Sequence, residues 1–325
     1  MDSKTKNRQH STTLRAMVER AYGRSQVVND EAFVQELTQG WFNVAYKVML
    51  ADGRNVVLKI APSSATDVMT YERRLMRNEL ATMEIVRRHS NLPIPAVEYA
   101  DTTRELCDAD WFFMEYVDSE NFGQLLESGR ISASARESLM AQLGVMNRRL
   151  NSIVGHHFGP VAGEGSQSWR EAYMDLVSDL LDDGRRADVD LGYEYGEILS
   201  IVANRSAVLD DIKTPRLVAS DLWPSNVLIR DDTIVAIIDH ERAVYGDPLM
   251  ESGFLGDELP IFPSAESFQR GYGAGALSAR QRARRRLYSL HLMLVMMIEP
   301  SYRGLQDPQQ YRWVRARFRD LISTI

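Results

Sequence analysis

A lone β-hairpin inside a long helical stretch does most to restrict how this chain can fold. Asn226–Arg230 and Thr233–Ile238 are apolar, β-branched runs on either side of Asp231-Asp232, the pattern of two strands joined by a tight turn. In such a hairpin the start of the first strand lies beside the end of the second. Asn226 and Asp239 therefore fall close together, with Asp221 in the loop just before them. One Asp or Asn is ordinary in a turn or helix cap, but three at this spacing around one hairpin ask for more than turn chemistry. Oxygen-bearing side chains converging at a strand end suit a hard cation such as Mg²⁺, which takes few protein ligands plus phosphate oxygens. A further carboxylate there can accept the proton of an attacking hydroxyl.

The texture on the two sides of the hairpin sets the fold class. Upstream, Val44–Val48 alternates, Ala51–Asn55 is turn chemistry and Val56–Ile60 is a second strand, so a hairpin is expected there too. A helix follows over about Thr70 to Arg88, with Leu75, Met76, Glu79, Met83 and Val86 on one face. Pro93 and Pro95 close it. Strands are expected near Val97–Ala100 and Trp111–Val117. Beyond Asp118 the periodicity is helical over Ser132–Leu150, Trp169–Asp183, Tyr193–Ile212, Ala279–Ile298 and Pro308–Ile325. The expected architecture is α+β and two-lobed. Residues 1–117 form a small lobe with an antiparallel sheet and a helix, with 1–13 as a flexible tail. Residues 118–325 form a larger, mainly helical lobe.

Lys59 is the single lysine in the apolar run Val56–Ile60. A buried ammonium needs a partner, because an unpaired charge is costly to desolvate. Glu79, on the apolar face of the following helix, is the natural candidate. A lysine held in this way can be presented to nucleotide phosphates.

Composition removes several function classes. The 325 residues carry a net charge of −7, which speaks against nucleic acid as the main partner. One cysteine, Cys107, cannot make an internal disulfide or a paired-cysteine zinc site. The polar, basic start is not a secretory signal, and the run Leu287–Ile298 is too short to span a bilayer. The expectation is a cytoplasmic protein with no membrane partner. Oligomeric state is not legible.

Two segments carry a family resemblance. Leu217-Val-Ala-Ser-Asp-Leu-Trp-Pro-Ser-Asn-Val-Leu-Ile229 and Ile237-Ile-Asp-His-Glu-Arg-Ala-Val-Tyr-Gly-Asp-Pro-Leu249 resemble the paired motifs of the aminoglycoside phosphotransferase-like family. That family is the small-molecule branch of the protein-kinase-like fold. The resemblance runs from about Gln35 to the C-terminus. It implies a phosphotransferase that moves the γ-phosphate of ATP or GTP to a hydroxyl of a small substrate with Mg²⁺. The acceptor would be an aminoglycoside-type or other antibiotic, or an amino alcohol or sugar of metabolism. By the same resemblance Asp221 is the catalytic base, and Asn226 and Asp239 bind Mg²⁺. Lys59 contacts the α- and β-phosphates and Glu79 orients it. Gly40 and Asn43, in Gln39-Gly40-Trp41-Phe42-Asn43, belong to the loop over the phosphates. Glu115 and Val117 offer hinge backbone groups to the base. The chain departs from the pattern at Ala219, where the family has a histidine that braces the loop, at His240 in place of an aromatic residue, and at Glu251 in place of Asp. Ala219 motivates a second reading, a catalytically silent nucleotide- or ligand-binding protein on the same fold.

Three other signals read as structural. Gly271–Gly275 lacks the preceding strand of a dinucleotide loop. The arginines between Arg280 and Arg286 read as a solvated helix end. The acidic stretch from Asp179 to Asp190 reads as solvated helix-end and loop charge.

Overall fold

The computed structural model describes residues 3–256, 258–305 and 307–325. The chain divides into two compact units. The first takes in Met1–Val68, Pro95–Asp118 and Tyr302–Leu305, and the second Met69–Ile94, Ser119–Ser301 and Gln306–Ile325.

In the first unit, helix α1 (Ser11–Tyr22) packs on a five-stranded sheet made of β1 (Val34–Leu37), β2 (Val44–Met49), β3 (Asn55–Ile60), β4 (Val97–Asp101) and β5 (Trp111–Glu115). Every pairing is antiparallel, in the order β1-β2-β3-β5-β4. The alternation of strand side chains decides which residues meet the helix. Val44, Val48, Val56, Leu58, Ile60, Trp111 and Phe113 join Leu14, Met17 and Val18 of α1 in one apolar core. Val57 and Lys59 face the other way, and Lys59 pairs across the sheet with Ala45 and Phe112.

The expected tail over 1–13 is corrected by the structure, apart from Met1 and Asp2, which lie outside the described residues. Ser3 and Thr5 are buried. Thr5 Oγ1 contacts the Phe42 and Trp41 carbonyls at 2.8 and 3.2 Å, and Lys6 Nζ donates to Asn43 O at 2.8 Å. Polarity along the segment looked like solvation, but these side chains cap backbone carbonyls of a neighbouring loop.

The second unit holds the helices α2 (Leu75–His89), α3 (Phe122–Glu127), α4 (Ala133–Leu150), α5 (Trp169–Arg186), α6 (Tyr195–Arg205), α7 (Ala265–Tyr272), α8 (Ala279–Arg303) and α9 (Pro308–Ile322), the last two residues of α8 grouping with the first unit. Ser132 and Ser168 accept backbone N–H bonds at the starts of α4 and α5, so both begin at N-caps legible in the sequence. The unit also has two small antiparallel sheets. One is β6 (Glu120–Asn121), β9 (Val227–Arg230) and β10 (Thr233–Ile237); the other is β7 (Gly159–Pro160), β8 (Arg216–Val218) and β11 (Val244–Gly246). The β9–β10 turn is the two-residue type expected: Asp231 and Asp232 both take positive φ, 49° and 54°, the geometry that matches strand twist.

Helices α4 and α7 come unusually close. A Cβ on Gly144 would lie 2.0 Å from Phe268 O, and one on Gly271 would lie 2.0 Å from Ala141 O. Gly271 is therefore a packing glycine in a helix, as its lack of a preceding strand suggested. Two charge runs are corrected. Arg284 and Arg285 are buried, not solvated, and Arg284 bonds Asp247 at 2.8 Å and Asp211 at 2.9 Å. Asp183 is fully buried and receives Thr70 N and Thr70 Oγ1, each at 2.7 Å. Among the described residues no helix is long and apolar enough to cross a membrane.

Candidate functional site

The second unit gathers the hairpin residues singled out in the sequence. Asn226 closes a 3₁₀ turn, Pro224–Asn226, just before β9. Its Nδ2 donates to Asp221 O at 2.8 Å and to Asp221 Oδ2 at 3.2 Å. That fixes the amide, and among the described residues no protein donor bonds its Oδ1. Asp239 lies two residues past the end of β10, and Ile238 N donates to Asn226 O at 3.0 Å, which ties the two hairpin ends together. Asp239 and Ser220 both sit in the left-handed region, at φ 65° and 62°. Non-glycine residues there are held against a local cost and cluster at functional sites.

Asp239 has two carboxylate neighbours. Ligand oxygens of Glu79, Asp239 and Glu241 lie within 4.8 Å of one another. Glu79 comes from α2 and is buried among Leu75, Met76, Met83 and Val86. Three carboxylates this close repel unless a cation or protons sit among them, so the donor set fits a hard divalent ion. Glu241 was missed by the sequence reading. So was Asn78 of α2, whose Nδ2 donates to Glu241 O and Ala243 O, each at 2.8 Å, while its Oδ1 accepts Ala162 N at 2.9 Å. A polar residue within an otherwise apolar helix face was the available signal.

The loop carrying Asp221 is held from Glu251. Oε2 accepts Ala219 N at 3.1 Å and Asn147 Nδ2 at 3.0 Å, and Oε1 accepts Leu222 N at 3.3 Å and Ser252 N at 3.4 Å. Ala219 thus lacks a bracing side chain, but its own N–H is bound. Burial pushes the Glu251 carboxyl up to about 7, against the pull of these donors. His240 fills a buried position, its Nε2 3.1 Å from Ile237 O.

Asp221 borders a cavity of about 450 Å³ in the second unit. Burial raises its pKa; Arg242 opposes that, and Asp239 and Glu299 add to it. Arg242 bonds Glu299 at 2.6 Å and lies over the Tyr71 ring, 5.4 Å from its centroid. Apolar side chains of α2, α5 and α8, among them Leu75, Leu180, Leu292 and Val295, line much of the wall.

The other sequence candidates lie in the first unit. Gly40 and Asn43 are in the β1–β2 loop, Asn43 buried and Gly40 exposed. Lys59 is buried in β3. Glu115 ends β5, where its N–H donates to Ala96 O at 2.8 Å, and Val117 follows two residues later.

Known proteins add findings of three kinds. A model of the phosphotransferase enzyme family matches residues 34–288. In structure, the chain is similar to a thermostable mutant of an aminoglycoside phosphotransferase crystallised with AMP-PNP and hygromycin B. The TM-score is 0.67 at 18% identity, over 97% of this chain and 99% of that one. It is also similar to a candidate fructosamine-3-kinase from Thermobifida fusca, with a TM-score of 0.63 at 20% identity over 97% and 100%. These likenesses bear out the two-lobed, protein-kinase-like α+β fold class. Among curated sequences, a subtelomeric hrmA-associated cluster protein of Aspergillus fumigatus is 25% identical over 151 residues, 46% of this chain but 28% of the relative. The chain thus matches little more than a quarter of that relative's length. With its residues 34–288 matched by the family model, the chain belongs to the phosphotransferase enzyme family.

Proposed function

We propose that the protein transfers the γ-phosphate of a nucleoside triphosphate, ATP or GTP, to a hydroxyl of a small molecule. The observation that carries this is the grouping of Asp221, Asn226 and Asp239 at one hairpin end, beside a cavity large enough for a small acceptor. Family membership supports it, as does the AMP-PNP and hygromycin B bound by a protein of similar fold.

Each residue then has a role. Asn226 and Asp239 would hold Mg²⁺, with Glu241 beside them. When bound, the ion neutralises charge on the phosphate oxygens. Lys59 contacts the α- and β-phosphates and Glu79 orients it. Backbone groups around Gly40 and Asn43 cover the phosphates, and those of Glu115 and Val117 read the base. Asp221 lies beside the acceptor hydroxyl. As the hydroxyl oxygen bonds to the γ-phosphorus, the bond to the β–γ bridging oxygen breaks and the hydroxyl proton passes to Asp221. Positioning and charge neutralisation carry most of the rate. The Glu251 brace on the Asp221 loop favours this active reading over a silent one.

The test has two arms. ATP or GTP with Mg²⁺ should raise the melting temperature of wild type and of Asp221→Asn alike. Asp221→Asn should lower kcat by about a thousandfold or more, as expected when a general base is removed from a positioned site. If nucleotide neither stabilises the chain nor is consumed with any alcohol in a broad panel, the reading fails.

A further inference from the structure

The cavity beside Asp221 has an unusual end. One face of α8 lines it, with Arg285, Tyr288, His291, Leu292 and Val295 in succession. Arg285 is 4% exposed. Its neighbour Arg284, equally buried, is matched by Asp247 and Asp211. Arg285 is not matched. Its Nη1 donates to Leu249 O at 2.5 Å and its Nη2 to Ser289 Oγ at 3.3 Å, both neutral acceptors, and its buried Nε has no partner. Among the described residues no carboxylate lies within ion-pair distance of it. The nearby Asp247 carboxylate is taken up by Arg284 and by the Tyr288 hydroxyl at 2.8 Å.

A guanidinium has five donors, and the two observed bonds leave most of them unused. Burial lowers its pKa only to about 10, so it stays charged near neutrality. Glu258 and Asp247 attract it from beyond ion-pair distance, but neither neutralises it in contact. A buried cation without a contacting counter-charge is costly, and a carboxylate entering the cavity would supply one. The remaining wall is largely apolar, with Leu75, Phe158, Leu180, Met250, Leu292 and Val295.

We infer that Arg285 is the subsite for a carboxylate on the acceptor, and that the acceptor is a hydroxy acid with an apolar body. Its hydroxyl faces Asp221 and its acid group pairs with Arg285. The inference rests on the reading of Asp221 as the base at the acceptor end. A polycationic acceptor held by the exposed carboxylates of Asp175 and Asp179 is the contrary outcome.

Direct binding separates this from the transfer reaction. Calorimetry on the full chain would compare ω-hydroxydecanoate with ω-hydroxydecanamide and ω-aminodecanol, probes that share one apolar body. Wild type should bind the carboxylate about tenfold or more tighter than the amide, the size of a charged hydrogen-bonded contact. Arg285→Met should reduce that preference to about twofold or less, because the neutral wall no longer distinguishes acid from amide. A cooperative thermal unfolding transition would show that this variant is folded. Arg285→Lys should keep part of the preference. Asp221→Asn should keep the preference for acid over amide, so a failure of transfer would not be read as a failure of this subsite. The proposal is overturned if none of the probes binds wild type, if amide or amine binds as tightly as the acid, or if Arg285→Met keeps the preference.

Discussion

Glu251 shows how much one carboxylate can decide. It is fully buried and holds Ala219 N and Leu222 N, the backbone on either side of Asp221. Its folded pKa, about 7, lies above its ordinary value of 4.5. The folded state therefore binds this proton more tightly than the unfolded chain does. The stabilisation is complete below pH 4.5 and is lost as pH rises through about 7, a change of about 3 kcal/mol from this one group. Glu251→Gln should remove that slope. The variant should also be weaker throughout by about 2 kcal/mol, because its amide nitrogen must face N–H donors on one side. Urea unfolding across this pH range would read both effects, and an unchanged slope in the variant would place the titration elsewhere. The sequence marked Glu251 only as a departure from a pattern. That its oxygens reach back to the Asp221 loop depends on how β8 and the residues after β11 meet.

Among the elements, the hairpin and the α4–α7 pair make opposite cases. The hairpin was readable because its pattern is local: alternating apolar residues, a two-residue turn and polar residues at both ends. Helix α7 was not anticipated, and its contact with α4 is built on the absence of side chains. Gly144→Ala or Gly271→Ala should each destabilise the protein by about 3 kcal/mol, since the added methyl meets backbone and not a movable side chain. Thermal unfolding of the two variants would check this. Gly196→Ala is the control: nothing lies within 4 Å of its Cβ position, so a helix-favouring alanine should be neutral or mildly stabilising. Near-equal effects at all three sites would contradict the packing account.

On the scale of the whole molecule, segments far apart in sequence meet in the first unit. Lys4 N donates to Arg303 O at 3.0 Å, and the Arg303 guanidinium lies 4.6 Å from the centre of the Phe42 ring. Thr5 binds the carbonyls of Trp41 and Phe42. Thr5 and Arg303 thus both close on the β1–β2 loop. Thr5→Val keeps the shape but removes the hydroxyl, leaving the buried bond to Phe42 O unmade at a cost of about 1–2 kcal/mol. Hydrogen exchange at the amides of residues 41–43 should speed up in that variant, and unchanged protection there would show that the segment does not hold the loop.

By itself, the sequence determined the α+β class, the order of the main elements and the line-up of Asp221, Asn226 and Asp239, because these follow from periodicity, caps and short-range spacing. Tertiary structure alone decided which distant groups share one environment. It set Glu79 and Glu241 beside Asp239, turned Glu251 onto the loop after β8, drew Ser3 and Thr5 out of solvent, and buried Arg284 with its acids and Arg285 without one in contact. Burial and charge pairing are properties of surfaces that meet only once the chain is folded, so no local pattern records them.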